Sequence, residues 1–176
     1  MIEVRIANHK DADHIAKLGR ITFRETFGHL FIDKNDLNQY LTKTFSVDKI
    51  KSGFKKTNNV FFIAFEDGLP VGYAKLKLNS RSEFIQSNSI CQLQKIYVLK
   101  DFLSKKVGFH LQNLLFDKAK ESNFENIWLS VLKSNERAII FYKKNDFKEV
   151  GDHEFQIGKQ IFNFIVMNKV LEIEAY

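Results

Sequence analysis

A chain of 176 residues, 44% hydrophobic and 27% charged, can bury a core of its own and is expected to form one soluble domain over residues 1–176. Its 27 basic and 21 acidic residues leave a net charge of +6, spread along the chain rather than gathered in a tail. That pattern fits a solvated basic surface and leaves room for an acidic partner, either a nucleic acid or a small polyphosphate. One cysteine, Cys91, excludes an intramolecular disulfide. No apolar run approaches a membrane span, and the opening MIEVRIANHKDAD lacks the layout of a secretory signal. A cytoplasmic protein without a membrane partner is expected. With 18 phenylalanines, the interior should be rich in aromatic rings.

Ile2, Val4 and Ile6 alternate with Glu3 and Arg5, the period of a half-buried strand. Asn8 is a cap for a helix that carries Asp11 and Asp13 in its first turn and runs through Ile15 and Leu18 to a stop at Gly28. Asp33 or Asn35 starts a second helix with Leu37, Tyr40, Leu41 and Phe45 on one face, and Ser46 starts a third with Ile50 and Phe54. Val60 to Glu66 and Val71 to Leu78 read as a hairpin about Asp67-Gly68, with Pro70 ahead of the return strand. Asn79 to Ser89 is a polar loop. A strand ending at Leu99, a polar loop from Lys100 to Lys106 and a helix with Val107, Leu111, Leu115 and Ala119 at helical spacing follow. Asn126 to Leu132 is a strand, Ser134 caps a helix from Asn135 to Lys144, and Phe147–Gln156 and Gln160–Val170 are the closing strands. The order predicts a mixed α/β sheet with helices on both faces.

Functionally the richest stretch is Gln92 to Glu121. A strand, a tight loop with Lys105 and Lys106, and a helix opening at Val107 form a ready anion site. The free N–H groups of the helix start and the positive end of its dipole face whatever fills the loop. Gly108 has no Cβ and allows a ligand close to the backbone. Elsewhere no HExxH, GxSxG, dinucleotide fingerprint or Walker loop occurs, and the five histidines show no metal spacing. Cys91, at the start of a strand, suits a packed thiol better than a nucleophile.

The run KIYVL followed by Leu103, Lys106 and Gly108 resembles the acetyl-CoA loop of the GCN5-related N-acetyltransferases (GNAT), which reads Gln/Arg-x-x-Gly-x-Gly/Ala; only Gly108 matches it. The segment Trp128 to Gly151 is closer to the family. Asn135, Ala138, Phe141, Tyr142 and Phe147 match its Asn-x-x-Ala-x-x-Phe-Tyr…Gly-Phe string, with Asp146 in the glycine position. With the N-terminal strand and helix, the resemblance covers nearly the whole chain. It implies the GNAT fold, with about seven mostly antiparallel strands between helices, and transfer of acetyl from acetyl-CoA, with no metal, to a small primary amine. The combination of FRETF, DLNQYL and KIYVLKDF is most like bacterial spermidine/spermine acetyltransferases, which adds a polyamine as the expected acceptor. Glu25, Asp33 and Asp36 are the candidates for a locally acidic pocket.

By the same resemblance, the backbone of Ile96, Tyr97 and Val98 lines the pantetheine and polarises the carbonyl. The N–H groups of Ser104, Lys105, Lys106, Val107, Gly108 and Phe109 hold the pyrophosphate. Asn135 and Phe141 flank the pantetheine arm, Lys144 and Lys143 are candidates for the adenosine phosphates, and Tyr142 is the general acid for the departing thiolate. The general base is the gap. Relatives carry glutamate at the position of Gln94, and neither Gln94 nor Gln92 can abstract a proton. Water relayed by backbone groups is one route and a carboxylate of the first helix another; Glu25 is the candidate, with a solvated helix charge as its alternative. A second reading keeps the fold and coenzyme binding but not turnover, with the route to Tyr142 filled by the phenylalanine-rich N-terminal helices. Nucleic-acid binding ranks last, and the oligomeric state, homodimer included, stays open.

Overall fold

The computed structural model describes residues 1–172. The chain forms β1 (Ile2–Ile6), α1 (Ala12–Phe27), α2 (Lys34–Thr44), α3 (Val47–Phe54), β2 (Asn59–Glu66), β3 (Leu69–Lys77) and β4 (Ile90–Val98). It continues as α4 (Val107–Glu121), β5 (Asn126–Leu132), α5 (Glu136–Lys144), β6 (Lys148–Ile157) and β7 (Gln160–Val170). The strands make one sheet in the order β1-β2-β3-β4-β5-β7-β6, antiparallel throughout except between β4 and β5. The expected architecture is thus the observed one.

Alternation along β2 and β3 divides the core. Phe62, Ala64, Ala74 and Leu76 face α4, against Val107, Leu111, Leu115 and Ala119, all fully buried. Phe61, Ile63 and Tyr73 face the other way, against Ile15 and Leu18 of α1 and Ile50 of α3. A third cluster, with Phe23, Phe31, Leu41, Phe45 and Phe162, ties α1 and α2 to the β6–β7 end. Burial of such side chains, about 1.5–3 kcal/mol each, is what fixes the helices to the sheet. Cys91 lies in the α4-side core, where burial pushes its thiol up to about 12, so it is a packed thiol.

Several local expectations shift. Asn8 caps a short 3-10 turn, His9–Asp11, ahead of α1. Asp11 there accepts from the Asn8 N–H and pairs with Arg5 at 2.8 Å, a partnership that holds its carboxyl below the usual range. Pro70 lies inside β3, opposite Phe65 and beside a bulge at Ala64/Phe65, a place where a missing N–H is tolerated. The polar loop after β4 is a 3-10 helix, Lys100–Lys105. Asn135, not Ser134, caps α5: its side chain accepts from the Ala138 N–H, a geometry that rests on the residue adjoining the first turn.

Candidate active site

The site begins where the sheet opens. β4 pairs with β5 only from Ile90 to Gln92, against Asn126 to Trp128. Beyond that point β4 continues to Val98 beside β3, while β5 continues to Leu132 beside β7, so the two strands part. A bulge falls at the parting. Lys75 pairs with Lys95 but Leu76 pairs with Leu93, so Gln94 is the extra residue. Its buried side-chain oxygen has no hydrogen-bond partner. The gap opens into a cavity of about 940 Å³ that runs from the start of α4 to the sheet face under α1, α2 and α3.

At one end stands the α4 start. Lys106 has φ +60°, and no side chain caps the helix, so the first N–H groups of α4 remain available. A Cβ added at Gly108 would reach only Val98 and Phe141, at 3.9 and 4.0 Å, and would narrow a cradle that is now clear. Ser104, Lys106, Gly108 and Phe109 all line this end, with Arg137, whose guanidinium donates to the Leu103 carbonyl. Val107 turns its side chain into the core and contributes backbone alone. Ile96, Tyr97 and Val98 form the β4 wall, with Asn135, Phe141 and Tyr142 of the α5 segment opposite. Burial raises the Tyr142 phenol well above its ordinary value and keeps it protonated. These residues fit the pyrophosphate and pantetheine arm of a coenzyme: uncapped N–H groups and cations would meet the phosphates, and the slot between the parted strands would receive the arm.

Three expected residues stand apart. Lys105 reaches back to Glu66, its ammonium 2.8 Å from the carboxylate. Lys144 is exposed in the last turn of α5 and does not line the cavity. Glu25 accepts from the Lys100 N–H at 2.7 Å, tying α1 to the 3-10 helix, and does not line the cavity either. The residues proposed for an acidic pocket are engaged as backbone caps. Asp33 accepts from the Asn35 N–H, and Asp36 from the Lys159 N–H at 3.0 Å.

The far end contains residues that motif reading missed. Lys75 of β3 and Lys95 of β4 are cross-strand partners, half-buried, with their ammonium groups over aromatic rings. Lys75 stands 5.6 Å from the Phe61 centroid and Lys95 4.7 Å from that of Phe45. Burial, then the neighbouring lysines, lowers each from 10.5 to about 8. Lys49, Lys56 and Lys77 line the same end, and no described residue lining the cavity is a carboxylate. Ser130 and His153 line the cavity as well, 2.9 Å apart. His153 Nδ1 lies 3.3 Å from the Glu154 carbonyl, which can only accept, so in the neutral ring that nitrogen carries the hydrogen and Nε2 accepts from Ser130. Phe164 stacks on the ring at 5.3 Å.

A sheet that parts beside an uncapped, cation-flanked helix start defines a coenzyme-dependent acyl-transfer fold. The model of the acetyltransferase (GNAT) family matches residues 22–147, and the chain belongs to that family, whose members draw acetyl from acetyl-CoA. It is similar to an uncharacterized N-acetyltransferase of Lactobacillus delbrueckii subsp. lactis, 26% identical over 97% of this chain and 98% of the relative. It is also similar to an N-alpha-acetyltransferase of Sulfurisphaera tokodaii, 28% identical over 84% of this chain and 82% of that one. Among solved structures, the PaiA N-acetyltransferase of Thermoplasma acidophilum in complex with coenzyme A superposes with a TM-score of 0.78 at 20% identity. That likeness covers 97% of this chain and 99% of the other, and shows the shared fold. No helix among the described residues is long and apolar enough to cross a membrane.

Proposed function

We propose that the protein acetylates a primary amine by direct attack on acetyl-CoA, with Tyr142 as general acid and His153 as the proton acceptor. The observation that carries this reading is the continuity of the cavity, which has the α4 start and Tyr142 at one end and the sheet face beneath α1–α3 at the other. A fold kept only for binding could have that route filled, so an open route supports turnover.

Acetyl-CoA supplies an activated acyl group and a thiolate leaving group. The rest falls to this chain. The edge of β4 beyond Gln92, free of ladder partners on its β5 side, supports the reading that backbone N–H groups meet charge developing on the carbonyl oxygen. The amine nitrogen bonds to the acyl carbon as the carbon–sulfur bond breaks. Tyr142 gives its phenolic proton to the sulfur and is reprotonated from solvent. The Ser130 hydroxyl takes the proton the amine loses as it passes its own to His153 Nε2, in the role Gln94 cannot fill, and histidine is the side chain suited to that exchange near neutral pH. The cations at the far end help, because an amine bound among them loses its own proton more readily than the usual 10.4 implies.

A polyamine acceptor is the narrower alternative. It needs carboxylates to hold a polycation, and Glu25, Asp33 and Asp36 are occupied by backbone N–H groups while the cavity lining is cationic. The test is CoA release from acetyl-CoA across an amine panel that includes spermidine, with Tyr142→Phe beside the wild type. The variant should lose about 10²- to 10⁴-fold in kcat with acetyl-CoA affinity retained. Equal rates in the two proteins would remove Tyr142 as the acid.

A further inference from the structure

The acceptor end of the cavity is charged in a way that no partner among the described residues balances. Lys75 and Lys95 sit side by side on β3 and β4, and like charges directly opposed on neighbouring strands repel. Lys77 lies two residues further along β3, and Lys49 on α3 faces the same space. Neither Lys75 nor Lys95 has an ion-pair or hydrogen-bond partner among the described residues. Glu66 is committed to Lys105 and Asp36 to the Lys159 N–H, and no described residue lining the cavity is a carboxylate. Phe45, Phe61 and Tyr97 wall the two ammonium groups, so water screens them poorly. A second, independent feature points the same way. The fully buried Tyr73 hydroxyl, two residues back along β3 where Tyr73 pairs with Tyr97, is an unpartnered donor on a side chain that lines the cavity. Burying charge without a partner is costly, and a site arranged like this is complete only when an anion occupies it.

We propose that the acetyl acceptor carries, beside its amine, a carboxylate or phosphate group that Lys75 and Lys95 bind. This inference rests on the acetyl-transfer reading above. The cations at the α4 start, Lys106 and Arg137, form a separate set at the coenzyme end, so the lysines under α1–α3 are free for the acceptor. An ammonium held by its own anionic group is steered to the cationic wall and turned with its nitrogen toward the parted strands. A simple diamine or polyamine is repelled by the same wall.

The experiment measures CoA release by the full chain with amines in matched pairs: ethanolamine against O-phosphoethanolamine, and 1,5-diaminopentane against lysine, with spermidine and a short C-terminally amidated alanyl peptide, which carries no anion, added. The anion-bearing member of a pair should exceed its partner in kcat/KM by about tenfold or more, the worth of one charge-assisted contact. The double variant K75Q/K95Q should bring the pair within about twofold while the KM for acetyl-CoA stays unchanged. Which pair responds tells phosphate from carboxylate. Equal rates within both pairs, preference for spermidine, turnover of the peptide alone, or equal loss for both members in the variant would each overturn the anionic acceptor while leaving acetyl transfer intact. No turnover with any amine would overturn the transfer reading instead. In that event, thermal unfolding decides the subsite: a rise in melting temperature with O-phosphoethanolamine, abolished in K75Q/K95Q, retains it, and no rise removes it.

Discussion

Replacing Lys95 by methionine should make the protein more stable and less active. The drop of the Lys95 ammonium from 10.5 to about 8 corresponds to about 3 kcal/mol against its charged form in the folded state. Methionine keeps an unbranched chain of similar length against Phe45 and Tyr97 but loses the cation's attraction to those rings, about 1 kcal/mol. The net gain at pH 7 is about 2 kcal/mol, or about 4–8 °C in Tm for a domain of this size. The dependence on pH gives a second check. Below about 8 the lysine is charged whether the chain is folded or not, and the full penalty applies. Between about 8 and 10.5 the unfolded chain binds a proton the folded chain has lost, so wild-type stability rises with pH and the gap to the variant closes. Urea or thermal unfolding at pH 7 and pH 10 measures both. A variant less stable at pH 7, or a gap that does not change by pH 10, would refute the claim that this charge is buried without compensation. The lost activity would show what the charge is retained for.

Two further substitutions separate the candidates for proton removal. His153→Gln should lower kcat by about 10²- to 10⁴-fold with the KM for acetyl-CoA unmoved; an unchanged kcat would exclude the imidazole. Glu25→Ala removes the acceptor of the Lys100 N–H and should cost about 1 kcal/mol, seen as a Tm about 2–4 °C lower, with kcat within about threefold. A hundredfold loss of kcat without a change in Tm would instead restore Glu25 as the base.

The elements were readable because period and turn chemistry agreed along most of the chain. Alternation in β1 holds at Ile2 and Val4 but not at Ile6, which is exposed at the strand's end, while the Asp67-Gly68 turn and the helical spacing of Val107, Leu111 and Leu115 survive in the structure. Details set by hydrogen bonds across the fold were not readable. The cap of α5 moved by one residue, since both Ser134 and Asn135 are capping types and only the chain's entry angle chooses between them. The coenzyme loop shows how a backbone demand can outlast its usual residue. Lys106 and Asp146 stand where the family carries glycine, and both adopt the left-handed conformation, φ +60° and +68°. A side chain there costs about 1–2 kcal/mol, so the motif is degraded in letters and intact in shape.

The acceptor wall was illegible for a different reason. Lys49, Lys75 and Lys95 lie on α3, β3 and β4, and their convergence depends on a register that pairs Lys75 with Lys95 rather than with a neighbour. A slip of one residue would turn Lys95 to the opposite face, and the bulge at Gln94, invisible in the sequence, helps set that register. Read along the chain, these lysines are part of a diffuse excess of +6 and look like solvated surface. The acids misled in the complementary way. Asp36 and Glu25 sit in helices that border the cavity and Asp33 caps one of them, yet each is bound to a backbone N–H that its own fold must satisfy. Net charge therefore describes the encounter with solvent, while acceptor choice follows from which charges the fold leaves unpaired inside. Here those are cations, and an acceptor that brings its own anion is the one such a site can hold.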